Sequence, residues 1–357
     1  MSSWKGRLRG PAGIGTALVA AVALLVLPAA GKQPVPAPAA MDLAWPQVKH
    51  AALAATLADG TAYEPGLFLT ADTSIGTAPS KDRKSMRLLE HRPTGPDVLI
   101  RKLPQKGYPS FSAITAAGDT LVWIERVGSG PPSIWTSGLR RPAPRRLTAD
   151  AGDVQSDQST FDLVIAGGQV YWTASGAARV TEVRSVALSG GPVSVRPEPG
   201  DWKLTAWPYL VNGVTETTGT TAIRDLRTGR DQAVRGNDRA TTRCSATWCE
   251  VVGGTTGGTT VELMRPDGSH RQKIGGDDIA GAISDPVVLD RFEILAQIDD
   301  NTQLTNHVQL IAYELATRRQ VVLSPDAFGI AYRAGVLWWS TGTDADFVRH
   351  AVDLRTV

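Results

Sequence analysis

The stretch AITAAGDTLVWIER, Ala113–Arg126, consists of two apolar runs joined by Gly118-Asp119, and is followed by SIWTSGLRR, Ser133–Arg141, and PRRLTAD, Pro144–Asp150. Apolar runs flanking a Gly-Asp pair signal a hairpin, and the two later runs extend it to four strands. The same order recurs. LVIAGGQVYWTAS leads to EVRSVAL, a Ser-Gly-Gly turn and VSV. PYLVNGVTETT leads to AIRDL, the turn Arg227–Arg230 and DQAV. TRCSATWCEVVGG leads to VELMR, the turn Pro266–Ser269 and RQKI. VVLDRFEILAQI leads to VQLIAYEL, the turn Ala316–Arg319 and QVVL. A copy before all of these reads GLFLTADTSIG, MRLLEH and DVLI, and a last one runs from IAYRAGVLWWST to FVRHAVDL.

This makes seven units with a period of roughly 45 residues, each with four strand-like runs, which is the pattern of a β-propeller. The fold class is therefore all-β, with seven four-stranded blades expected and six or eight still compatible with the uneven unit lengths. In VQLIAYEL, Val308, Leu310 and Ala312 face one way and Gln309, Ile311 and Tyr313 the other. Such a strand suits a blade covered on both faces. The last unit stops at Val357 after its third strand, while VKHAALAATL, Val48–Leu57, has the place of a fourth strand with no blade of its own. Pairing the two would join the ends of the chain in one blade and leave fewer open edges.

The first residues have a different character. Lys5, Arg7 and Arg9 precede an uncharged run, Ile14 to Ala30, and then a Pro/Ala stretch. A basic start, an apolar run and small residues mark an export signal or a membrane anchor. Residues 1–39 are accordingly assigned to leader and linker, and 40–357 to the propeller. The expected location is outside the cytoplasm, either free or tethered to the membrane through residues 14–30 and facing outward. The formal charge of +2 includes Lys5, Arg7, Arg9 and Lys32, so the exported part carries 2 − 4 = −2. Nucleic-acid binding driven by bulk charge is not expected.

The turns Asp225-Leu226-Arg227-Thr228-Gly229 and Arg265-Pro266-Asp267-Gly268 resemble those of TolB-like and WD-type exported bacterial propellers. The resemblance extends from about Gln47 onward and implies a fold and a binding role rather than a reaction. No Trp-Asp dipeptide ends these strands, which departs from the strict WD repeat.

The only two cysteines, Cys244 and Cys249, fall at the end of one strand and the start of the next. A short hairpin loop brings two such Cα atoms into disulfide range, and an exported protein keeps the bond. A redox pair would favour two-residue spacing, and a metal site would need further ligands nearby. Asp299, Asp300 and Asn301 are weak candidates for an ion, against a plain turn reading. Gly253–Thr260, GGTTGGTT, reads as a flexible turn. Arg140, Arg141, Arg145 and Arg146 flank a Pro-Ala-Pro turn and are candidates for an anionic surface or an acidic partner. Trp123, Trp172 and Trp339 (or Trp338) recur in second strands and read as packing between blades. Trp45, Trp202 and Trp207 lie off that pattern and are candidates for an exposed contact surface. His50, His91, His270, His307 and His350 show no metal or acid–base spacing.

No catalytic motif, metal motif or cofactor motif is present. The leading expectation is a monomeric, non-catalytic scaffold that binds a protein partner in the cell envelope. The alternative is a propeller lyase or hydrolase with a metal-assisted site in the central channel, its residues contributed one per blade.

Overall fold

The computed structural model describes Pro38–Val357 except 214–217, 238, 256–257, 301 and 344–345. The leader and possible anchor, along with Asn301, lie outside the described residues. Seven antiparallel blades follow one another. Blade 1 is Glu64–Phe68, Ser74–Pro79, Ser85–His91 and Val98–Pro104. Blade 2 is Pro109–Ala117, Thr120–Val127, Ser133–Gly138 and Arg145–Thr148. Blade 3 begins with two short pieces, Asp153–Val154 and Val164–Ala166, and continues with Gln169–Ser175, Val180–Ala187 and Ser194–Pro199. Blade 4 covers four strands from Trp202 to Ala233, and blade 5 four strands from Ala240 to Gly275. Blade 6 has Ile279–Gly281, Phe292–Gln297 and Val308–Glu314.

The strand Arg319–Arg333 is shared. Its first half closes blade 6 against Val308–Glu314, and its second half opens blade 7 against Val336–Thr343. Blade 7 continues with Asp346–Asp353, and its outer strand is Lys49–Ala54, with Ala52 opposite His350. The two ends of the chain thus share one blade, as the unit count predicts. Just before this strand, Ala39 and Ala40 pair in parallel with Val321 and Val322. A buried Trp45 then packs on Phe292.

Seven apolar clusters tie each blade to the next. Leu67, Ile75 and Trp123 lie between blades 1 and 2. Ile124, Ile134, Val170 and Trp172 lie between blades 2 and 3, and Val183, Leu204 and Leu210 between blades 3 and 4. Val211, Ile223 and Val251 follow, then Leu263, Leu295 and Ile311, then Leu310, Leu337 and Trp339. Phe68 and Trp338 join blade 7 to blade 1. Leu310 and Ala312 face blade 7, and Ile311 and Tyr313 face blade 5, which is the two-sided strand that the alternation predicts. Trp123, Trp172 and Trp339 each point at the preceding blade.

The glycine run and the off-pattern tryptophans depart from the sequence expectations. Gly253–Thr260 does not form a loose turn in its described part: Gly253 pairs with Thr260 and Gly254 with Thr259, so the hairpin ladder extends through the glycines. Trp202 is 5% exposed and lies between blades 3 and 4, with Arg224 over its ring, and Trp45 is also buried. Trp207 is half-buried and stacks on Tyr171 at 3.5 Å. Asp299 accepts the Thr302 N–H at 2.9 Å at the start of the short helix Thr302–Thr305, as a helix cap does. Asp300 is exposed, and among the described residues no three His, Cys, Asp or Glu side chains are grouped to hold a metal.

Candidate functional site in the channel

The site begins with a break in a ladder. In blade 3, Val154 pairs with Ala174, and the Gln155 N–H reaches Thr173 O. The next paired residue is Val164, opposite Tyr171. A regular strand would put one residue opposite Trp172. This chain puts eight there, 156–163. Ordering eight residues costs on the order of 10 kcal/mol of backbone entropy, and it adds nothing to the ladder.

These eight residues form a strap across the interior of the ring. Lys203 of blade 4 meets Asp157 at 2.5 Å. Ser284, just past the inner strand of blade 6, donates to Asp157 O at 3.0 Å. Asp285 accepts from Ser159 Oγ at 2.5 Å and from the Thr160 N–H at 2.9 Å. Asp162 accepts from Ser156 Oγ and from the Asp157 N–H, both at 3.1 Å, and lies 3.8 Å from Arg333 of blade 7. Blade 3 therefore touches blades 4, 6 and 7 through one segment, which only a chain crossing the channel can do. Arg333 is 7% exposed and its Nη1 has no partner among the described residues. Burial raises the Asp162 carboxyl above its ordinary range.

Beneath the strap is a cavity of about 400 Å³. Its lining includes Phe161 and Asp162 of the strap, Lys203 of blade 4, Arg243 and Cys244 of blade 5, and Asp285. A smaller cavity of about 260 Å³ is lined by Gln158 and Gly281 to Asp285. With Ser284 and Asp285, Arg243 lines both. Its Nε lies 2.8 Å from Glu250, its Nη2 also meets Glu250, and its Nη1 donates to Ile283 O at 3.2 Å. Glu250 has no exposed surface, and Glu293 beside it has none either. Gly281 lies so close over the Arg243–Glu250 pair that a Cβ there would collide with both.

The disulfide follows directly on the Arg243–Glu250 pair in the same hairpin. Cys244 and Cys249 are bonded, and they face each other across the hairpin with Cα atoms 4.0 Å apart. Of the four arginines, all exposed and outside the cavity lining, 140 and 141 lie in the turn after the third strand of blade 2, and 145 and 146 open the fourth strand, with Arg145 donating to Leu188 O of blade 3. Among the histidines, His307 sits on Phe328 and bonds Asp326 at 2.7 Å, and His350 bonds Thr341 at 2.8 Å, so neither enters the channel network. Reading the sequence for motifs missed the strap. Its signal was length: DVQSDQSTFDLV, Asp153–Val164, precedes the first clear hairpin of its unit with no counterpart in the unit before it.

No family model matches the sequence, and no curated protein resembles it significantly in sequence. Solved structures do match in fold. An uncharacterized protein of Listeria monocytogenes EGD-e superposes with a TM-score of 0.52 at 6% identity, over 78% of this chain and 88% of that one. A puromycin-hydrolyzing peptidase of Mycobacterium tuberculosis gives 0.50 at 12%, over 88% and 53%, so this chain spans about half of that enzyme. TolB from Acinetobacter baumannii gives 0.39 at 12%, over 70% and 63%. At such identities the likeness speaks for the fold alone: this chain is a β-propeller.

Proposed function

We propose that the protein is an exported, non-catalytic β-propeller that serves as a protein-binding scaffold of the cell envelope, with the strap at the channel mouth as its contact surface. The observation that carries this reading is the eight-residue excursion itself, which the blade does not need and which is held at four points. The charged groups around it support binding over catalysis because they are used in holding its shape. Asp157, Asp162 and Asp285 each accept donors that fix the strap or its anchor. Export is supported by the disulfide, which persists in oxidising compartments. Residues 14–30 would supply a membrane tether if the leader is retained.

The test is affinity capture from envelope extract with the exported domain, comparing the wild type with a variant in which a single serine replaces 156–163. A partner retained by the wild type and lost by the variant, at unchanged melting temperature, supports the scaffold. Equal capture by both sinks the strap as the contact. Stoichiometric metal in the same sample with no partner would favour the alternative of metal-assisted catalysis in the channel.

A further inference from the structure

The far anchor of the strap is an unusual turn. Between the first two strands of blade 6, Val287, Leu289 and Asp290 all adopt left-handed backbone, with φ of 49°, 56° and 55°. Such a conformation is uncommon for any residue but glycine and is a true outlier for β-branched valine, costing on the order of 1–3 kcal/mol. The same turn presents Ser284 and Asp285 to the strap. Glu293 holds its strained start, its Oε2 accepting the Val287 N–H at 2.7 Å, while Thr247 donates to Asp290 at the far end.

Glu293 stands in a group whose charges do not balance. It and Glu250 are both fully buried, each has one carboxyl oxygen with no partner among the described residues, and Arg243 is the cation they share. Two buried carboxylates beside one guanidinium leave an uncompensated negative charge, which is costly in a dry interior. One proton removes that cost. Glu250 takes the direct bonds of Arg243, so the proton belongs on Glu293. Burial first, and the Glu250 charge second, hold the Glu293 carboxyl well above the ordinary carboxylate range.

We propose that Glu293 is a charge switch for the strap: uncharged, it holds the strained Ser284–Asp290 turn in place, and ionised, it releases that turn and with it the two anchors, Ser284 and Asp285, that blade 6 gives the strap. An ionised Glu293 would face Glu250 with an unsatisfied oxygen in a site without solvent exposure, and opening the turn would let water reach it. The strain at Val287 favours that release. The linkage has a definite sign. A carboxyl whose pKa is raised in the latched state stabilises that state while protonated, and the stabilisation is lost as pH rises through the raised value. Acid therefore latches the strap and alkali frees it. The other ionisable groups in contact with this assembly include Asp157, Asp162, Asp285, Lys203 and Arg333, together with Asp290 of the turn and its partner Arg265, and Asp162 is also raised by burial.

The switch concerns regulation of the channel-mouth site and rests on that reading for its biological meaning, but its test needs no partner. Hydrogen exchange of the 156–163 backbone would be followed from about pH 5 to about pH 10, corrected for the intrinsic pH dependence of exchange. Protection in the wild type is expected to fall at least about tenfold as pH rises, equivalent to one unit of linkage. Glu293→Gln, which keeps the acceptor for Val287 and cannot ionise, should stay protected throughout. Glu293→Ala should be unprotected at every pH, and if it does not fold the Gln variant decides alone. A flat wild-type profile overturns the proposal. The same fall in Glu293→Gln also overturns it and moves the switch to Asp162. Loss of partner capture in the strap variant bears on the scaffold reading and leaves this result untouched.

Discussion

Blades 2 and 3 carry a tryptophan at the same point of the second strand, and they differ in what the inner strand does opposite it. Opposite Trp123 stand two residues, Ala113 and Ile114, in a bulge between Ser112↔Ile124 and Thr115↔Val122. Opposite Trp172 stand eight. Both rings are fully buried against the preceding blade, so the core between blades is built in the same way in each. The bulge keeps the ladder and costs one extra residue. The excursion gives the ladder up and sends its residues to three other blades. Core packing is thus the common requirement, and the inner strand is where a blade can depart from regularity without losing its place in the ring.

The largest effect expected is on the shared part. Trp123→Ala and Trp172→Ala should each cost about 3–5 kcal/mol in chemical denaturation, the usual cost of emptying a large core site. Trp172→Ala should be the worse by about 1 kcal/mol, because its indole N–H bonds Ala151 O at 2.8 Å, whereas Trp123 Nε1 has no partner among the described residues. A Trp172 variant much milder than the Trp123 one would mean that the broken ladder has loosened the core. Next comes the stapled hairpin of blade 5, whose inner strand is unbroken. Cys244→Ser, or reduction, should lower stability by about 2 kcal/mol without abolishing the fold, as closing a short loop predicts. An unchanged melting curve would show that the ladder alone suffices there. Smallest is the strap: replacing 156–163 with one serine should change stability by no more than about 1 kcal/mol, since its anchors little more than offset its ordering entropy. A collapse of the melting temperature would make the strap part of the scaffold and end the contrast between the blades.

The repeat was legible because each blade needs the same local devices. Gly167-Gly168, both with positive φ, close the hairpin between Ala166 and Gln169 in the manner that the sequence pair announces. The cysteine pair was legible for the same reason, since its two ends lie in one hairpin. The tryptophans show where such reading stops. Trp202 interrupts the pattern of Trp123 and Trp172, which suggested a surface role, yet a ring off the pattern found a slot between blades 3 and 4 and an arginine to cover it. The short run Asp299–Asp300 has a composition that ion sites share with helix caps, and the hydrogen bond from Thr302 shows Asp299 in the second role.

From its sequence alone, this protein's architecture followed in outline: about seven repeating units, with six or eight still open, a last blade completed by an N-terminal strand, and a stapled hairpin. All of these depend on residues close in the chain or on a count of repeats. The channel site was decided by tertiary structure, because its members, Asp157, Lys203, Arg243, Asp285, Glu293 and Arg333, come from five blades and share no spacing. Charge balance among buried groups is a property of who faces whom, and the order of residues along a chain does not encode that until the ring brings them together.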